Sequence, residues 1–152
     1  MNDLDSKMVV QGLFDAFHKA PKPAPLSKFD GSHCDEEVEF FNRIDWDDAT
    51  YKDFVDGIEG WIICPESTVV YLIPRLFKML ILGRSNPQNS AVDNLSGDLE
   101  SRVAENNISE RLNEDQKLAI LRAWKFLDEN YYKPSGSNIS GKLAKLWNID
   151  FL

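Results

Sequence analysis

Any fold of this chain has to accommodate its longest apolar run, Val69-Val70-Tyr71-Leu72-Ile73-Pro74-Arg75-Leu76-Phe77-Lys78-Met79-Leu80-Ile81-Leu82. Arg75 and Lys78 interrupt the run, and it falls short of the roughly 20 apolar residues that a membrane-spanning helix needs. It therefore reads as a buried helix around which the remaining elements pack. Pro65-Glu66-Ser67 supplies a helix start. Pro74 either begins a fresh helix or kinks one already running, because it removes the bond to Val70. Leu76, Phe77, Leu80 and Ile81 make this the central helix, and Gly83 can end it.

Helical spacing recurs on both sides. Asp5 or Ser6 can cap a first helix to about Lys19, with Met8, Val9, Leu13, Phe14 and Phe17 on its apolar face. Pro21, Pro23 and Pro25 then impose an extended connector. Ser32 followed by Asp35 forms a weak capping box for a second helix, Asp35 to Ile44. In it Val38, Phe41 and Phe40 or Ile44 face the core, while Glu36, Glu39 and Arg43 face water. A third helix is expected over Ala49 to Ile58, ended by Gly60. Trp61-Ile62-Ile63-Cys64-Pro65 can be read as an extended segment, although so short an apolar run does not separate strand from buried turn.

Beyond Gly83 the stretch to Ser109 is polar and reads as a long loop around 84–109, with a turn of helix near Leu99 to Ala104. Asn113 with Gln116 three residues on is a strong capping signature for a helix from Glu114 to about Tyr131, buried through Leu118, Leu121, Trp124, Phe126 or Leu127, and Tyr131. Lys133-Pro134-Ser135-Gly136-Ser137-Asn138 breaks it. Leu143, Leu146 and Trp147 belong to a short terminal helix. With 152 residues, the chain can bury an ordinary core as one domain. The expected fold is mainly α, a single compact domain of five to six helices, with residues 1–31 forming a helix plus connector and 32–152 the main body. No internal repeat is present.

The net charge of −8 is not spread evenly. Between Asp30 and Glu59 eleven acidic residues face only Arg43 and Lys52, a local net of −9, so this one stretch carries the whole imbalance. Such a block repels nucleic acid, whose binding depends on Lys and Arg neutralising phosphates, and steers basic protein surfaces toward it. The bland reading is a solvated face that keeps the protein soluble. The functional reading makes Glu36, Glu39, Asp45, Asp47, Asp48, Asp53 and Asp56 a docking face with Trp46 and Tyr51 as aromatic anchors.

Chemistry of other kinds finds little support. The segment from Asp45 to Asp56 loosely echoes a calcium loop, but Ala49, Thr50 and Asp56 at the fifth, sixth and twelfth positions fit it poorly. His18, His33, Cys34 and Cys64 have no zinc-ligand spacing. No phosphate-binding glycine loop and no nucleophile elbow occurs. Cys34 near a helix start, beside His33, is the one candidate nucleophile, though Asp35, Glu36 and Glu37 oppose a thiolate there. Both cysteines read as free thiols. An acidic N-terminus without an apolar run argues against a signal peptide, so the expected location is the cytoplasm, and the sequons at Asn94, Asn107 and Asn138 are then chance matches.

Three segments carry a family resemblance: His33-Cys34-Asp35-Glu36 before a helix, Tyr71-Leu72-Ile73-Pro74 within the apolar run, and Leu112-Asn113-Glu114-Asp115-Gln116 opening a helix that reaches Phe126-Leu127. Over Ser32 to Tyr132 the chain resembles DUF6714, a family of small cytosolic bacterial proteins. It differs in having Glu37 where a second cysteine falls and Ile73 as an extra residue before the proline. The resemblance implies no activity. Small acidic chains of this kind are frequent among bacterial immunity proteins, which raises that class by association. The expectation is thus a non-enzymatic immunity-type inhibitor, without cofactor or metal, that neutralises a cognate toxin, a basic nuclease, through its acidic face without itself contacting nucleic acid or membrane. The alternatives are a small cysteine-dependent enzyme using Cys34, or a self-associating structural or adaptor protein.

Overall fold

The computed structural model describes residues 3–31, 35–83, 90–132 and 138–151. Among them are nine α-helices and no strand, a mainly α domain. In chain order these are α1 (Asp3–Ala16), α2 (Asp35–Arg43), α3 (Tyr51–Asp56), α4 (Ile58–Ile63), α5 (Glu66–Leu82), α6 (Ser90–Ala104), α7 (Asn106–Ser109), α8 (Glu114–Leu127) and α9 (Ile139–Leu146). A single π-helical turn, Asp128–Tyr132, continues α8. None of the described helices is long and apolar enough to cross a membrane.

The apolar run forms one helix. Leu72, Ile73, Leu76, Phe77 and Leu80 of α5 are fully buried, and Pro74 lies inside the helix rather than at its start. Gly83 ends it, its N–H donating to the Met79 carbonyl at 3.1 Å. α1 packs against both α5 and α8, and α5 meets α8 where Phe77 and Trp124 set their rings edge to face at 5.1 Å. α1 begins earlier than its expected cap, and its buried face runs through Val10, Leu13 and Phe17, with Met8 outward (63% exposed).

Two segments depart further from the sequence reading. The polar stretch expected as a loop around 84–109 contains α6 and α7, while 84–89 lies outside the described residues. Leu95, Leu99 and Val103 recur every fourth residue and are fully buried, as is Ile108. This narrow apolar stripe is enough to pack α6 against α5, with α3, α7 and α9 also touching it. The expected extended segment Trp61 to Pro65 is instead largely helical, and Gly60 lies within α4 rather than ending α3. A Cβ at Gly60 would fall 2.4 Å from Phe41 Cβ and Cγ. Glycine is thus required for the close crossing of α2 and α4, and the helix stops at Cys64, held extended before Pro65.

The last third follows the expected capping logic. Asn113 Oδ1 accepts the Gln116 N–H at 2.9 Å and Gln116 Oε1 accepts the Asn113 N–H at 3.0 Å. Leu121, Trp124, Phe126 and Leu127 are buried, with Leu118 and Tyr131 half-buried. Buried Asp128 then accepts the Ile139 and Ser140 N–H groups at 3.2 and 3.0 Å, fastening the start of α9 to the end of α8. Leu146 is exposed on α9, whereas half-buried Trp147 donates its indole N–H to Ser109 Oγ at 3.0 Å. The proposed Ser32 cap and residues 133–137 of the expected breaker fall outside the described residues, while Asn138, its last residue, caps α9 by accepting the Gly141 N–H at 3.1 Å.

Candidate protein-binding face

The connector before α2 fixes the acidic stretch to the core. Ser27 exchanges two hydrogen bonds with the Asn42 side chain, its N–H donating at 2.8 Å and its carbonyl accepting at 2.9 Å, while its hydroxyl donates to the Gly60 carbonyl at 2.8 Å. Val38 and Phe41 of α2, and Ile44 just after it, point inward. The acidic residues of α2 and of the 44–50 turn are thereby left on the outside.

That turn buries its tryptophan. Trp46 is 3% exposed, with its ring edge-on to Phe41 at 5.0 Å and its indole N–H donating to the Phe41 carbonyl at 3.2 Å. It is a core residue, not an anchor awaiting a partner. Tyr51 is half-buried and its hydroxyl donates to the Met79 carbonyl at 2.9 Å, so it too serves the fold. The aromatic half of the expected docking face is absent because Trp46 packs on Phe41 of α2 and Tyr51 of α3 is bonded to Met79 of α5.

Several of the expected carboxylates also have internal duties. Asp47 Oδ1 accepts from Arg75 Nε at 2.9 Å, and the Asp47 carbonyl accepts from Lys78 Nζ at 2.8 Å. Arg75 is held from its other side by the Tyr71 ring, 3.8 Å from its guanidinium carbon, and by the Tyr71 carbonyl at 2.8 Å. The two cations that interrupt the apolar run thus reach across to the acidic turn. Asp53 closes a capping box with Thr50 at the start of α3, accepting the Thr50 N–H at 3.0 Å. Asp56 pairs with Lys52, and Glu39 with Arg43 at 3.5 Å, both one helical turn apart on the surface.

What faces outward is more compact than the sequence list. Asp45, Asp48 and Asp53 line a depression of about 370 Å³ together with Phe40, Ile44 and Arg43. Half-buried Phe40 and the edge of Ile44 supply an apolar floor, and three carboxylates stand against one guanidinium around it. Asp48 also lines a second hollow of about 200 Å³ shared with Asp47, Arg75, Lys78 and Leu82. Glu36, Tyr51 and Asp56 line neither. Phe40 is the site residue that sequence reasoning left undecided. The signal for it was the adjacency of Phe40 and Phe41, only one of which a helix can turn fully inward.

Among the described residues, no cysteine lines this face. His33 and Cys34 lie outside the described residues. Cys64 is buried, its thiol donates to the Trp61 carbonyl at 3.3 Å, and burial pushes the thiol up to about 11 against the opposing pull of Arg102. A thiol so placed is almost entirely protonated at neutral pH and is a packing group. In comparisons with known proteins, no family model, no curated protein and no solved structure matches the chain.

Proposed function

We propose that this chain is an immunity-type inhibitor that binds a cognate bacterial toxin, a basic nuclease, and neutralises it through the acidic face. The observation that carries the reading is the depression in which Asp45, Asp48 and Asp53 surround Phe40 and Ile44. A lysine or arginine of the partner fits it, with its methylenes on the apolar floor and its charged head among the carboxylates. A nuclease presents such side chains where it holds the phosphates of its substrate. The face would occupy them in place of nucleic acid, and the surrounding negative potential would accelerate encounter. That small acidic domains are common among immunity proteins is an argument from class.

The test is co-purification of the tagged full chain from its native host at low and at high salt, with the bound polypeptides identified by mass spectrometry. A basic polypeptide retained at low salt and released at high salt is expected. Asp45→Lys with Asp48→Lys should weaken its capture at least about tenfold at low salt. Recovery of the chain alone would remove the inhibitor reading, and a complex indifferent both to salt and to the double reversal would remove the acidic face as its interface.

A further inference from the structure

Away from the acidic face lies a cleft of opposite character. Between the residues that follow α1, the first two turns of α5 and the cap of α8 is a hollow of about 290 Å³ lined by Lys19, Ser67, Arg111, Asn113 and Gln116. None of its lining residues is acidic, although the chain carries a net charge of −8. Glu66, next to Ser67, accepts from Asn107 Nδ2 at 2.8 Å, and Asp115 borders a different hollow with Arg122.

All five polar side chains bring donors to the cleft. The α8 capping box fixes the two amides, because Asn113 Oδ1 and Gln116 Oε1 are both consumed by backbone N–H groups. Their amide nitrogens are consequently the free ends, and neither side chain can flip without breaking the cap. Gln116 is only 9% exposed, and its unspent Nε2 is left at the open wall of the hollow. Among the described residues, no hydrogen bond or ion pair uses Gln116 Nε2, Asn113 Nδ2, Ser67 Oγ, Lys19 Nζ or the Arg111 guanidinium.

We propose that this cleft binds a small oxyanionic ligand, a phosphate monoester or a carboxylate. Two cations and three neutral donors around a hollow with no acid in its lining match a group that only accepts hydrogen bonds, and such a group would share Arg111 with the nearby Glu66 carboxylate. Pro21 and Val70, on the same wall, give an apolar seat for a compact body. The volume lies at the lower limit of ligand pockets, about 300 Å³, which limits that body to about one aromatic ring.

The experiment is an amide-resolved NMR titration of the full chain with phenyl phosphate, benzoate and inorganic phosphate. Saturable shifts confined to residues 19–21, 67–70 and 111–116 are expected with phenyl phosphate. Lys19→Gln with Arg111→Gln should weaken them at least about tenfold while leaving the rest of the spectrum in place, since neither side chain holds the fold. Equal binding of benzoate assigns the site to carboxylates, and equal binding of inorganic phosphate shows that the anion alone suffices. The absence of saturable shifts with any probe up to about 10 mM, or shifts unchanged in the double variant, would overturn the proposal.

Discussion

The acidic stretch from Asp30 to Glu59 and the central helix α5 use charge in opposite ways. In α5 two cations interrupt the apolar run Val69 to Leu82, and both are drawn out to the rim, where Arg75 and Lys78 meet Asp47. In the acidic stretch many carboxylates surround a few rings, and the rings go in. Trp46 is buried and Tyr51 is tied to Met79, while Asp47, Asp53, Asp56 and Glu39 find partners within the chain. Charge counted along the sequence therefore overstates what is offered to a partner. It is Asp45 and Asp48, with Asp53 beside them at the depression, that concentrate the outward charge.

If α5 and α8 hold the fold and the acidic face is carried on it, the largest stability effect should come from their contact. Trp124 is fully buried with its ring against Phe77. Trp124→Ala should cost about 3–5 kcal/mol in urea denaturation. Its indole N–H meets no acceptor among the described residues, so Trp124→Phe, which removes that buried donor, should cost well under half as much. Equal losses in the two variants would mean that the indole N–H is satisfied after all.

Next in size is the crossing that joins the acidic unit to the core. Gly60→Ala drives a methyl into Phe41 and should destabilise by about 1–3 kcal/mol. Gly12→Ala on α1, where a Cβ meets nothing within 4 Å, should instead stabilise by about 0.5–1 kcal/mol. Thermal melts of the two variants moving in opposite directions would establish that one glycine serves packing and the other does not. A shared direction would break the account of why α2 and α4 approach so closely.

These same places mark how far the sequence could be read. α5 and α8 were legible because dense apolar spacing, a proline-led start and a reciprocal Asn113–Gln116 cap all point to one answer. α6 was not, since Ser, Asn and Asp dominate its composition and Leu95, Leu99 and Val103 form too thin a stripe to stand out against them. Gly60 reads as a helix stop in sequence because its real role, the approach of Phe41 from α2, is a tertiary fact. For the face, charge placement was legible and aromatic placement was not. Interleaved acids and rings look the same whether the rings are offered to a partner or sealed inward. The donor cleft escaped notice because Lys19, Ser67 and Arg111 are distant in sequence and join only through the fold.

The smallest expected effects test the division of carboxylates itself. Asp45→Lys with Asp48→Lys should leave stability within about 0.5 kcal/mol, because the bond it removes, from the Asp47 N–H to Asp45 Oδ1 at 3.2 Å, lies at the exposed surface where water replaces it. Asp47→Lys should be worse despite being a single change, because Arg75, whose side chain is 17% exposed, would exchange its carboxylate for a like charge. With Asp47 itself 65% exposed, solvent screening holds that loss to about 0.5–1 kcal/mol. Raising the ionic strength should shrink the Asp47→Lys penalty and leave the double variant unaffected. If the double reversal proved the more damaging, Asp45 and Asp48 would belong to the fold as Asp47 does, and the depression around Phe40 would have no charge to spare for a partner.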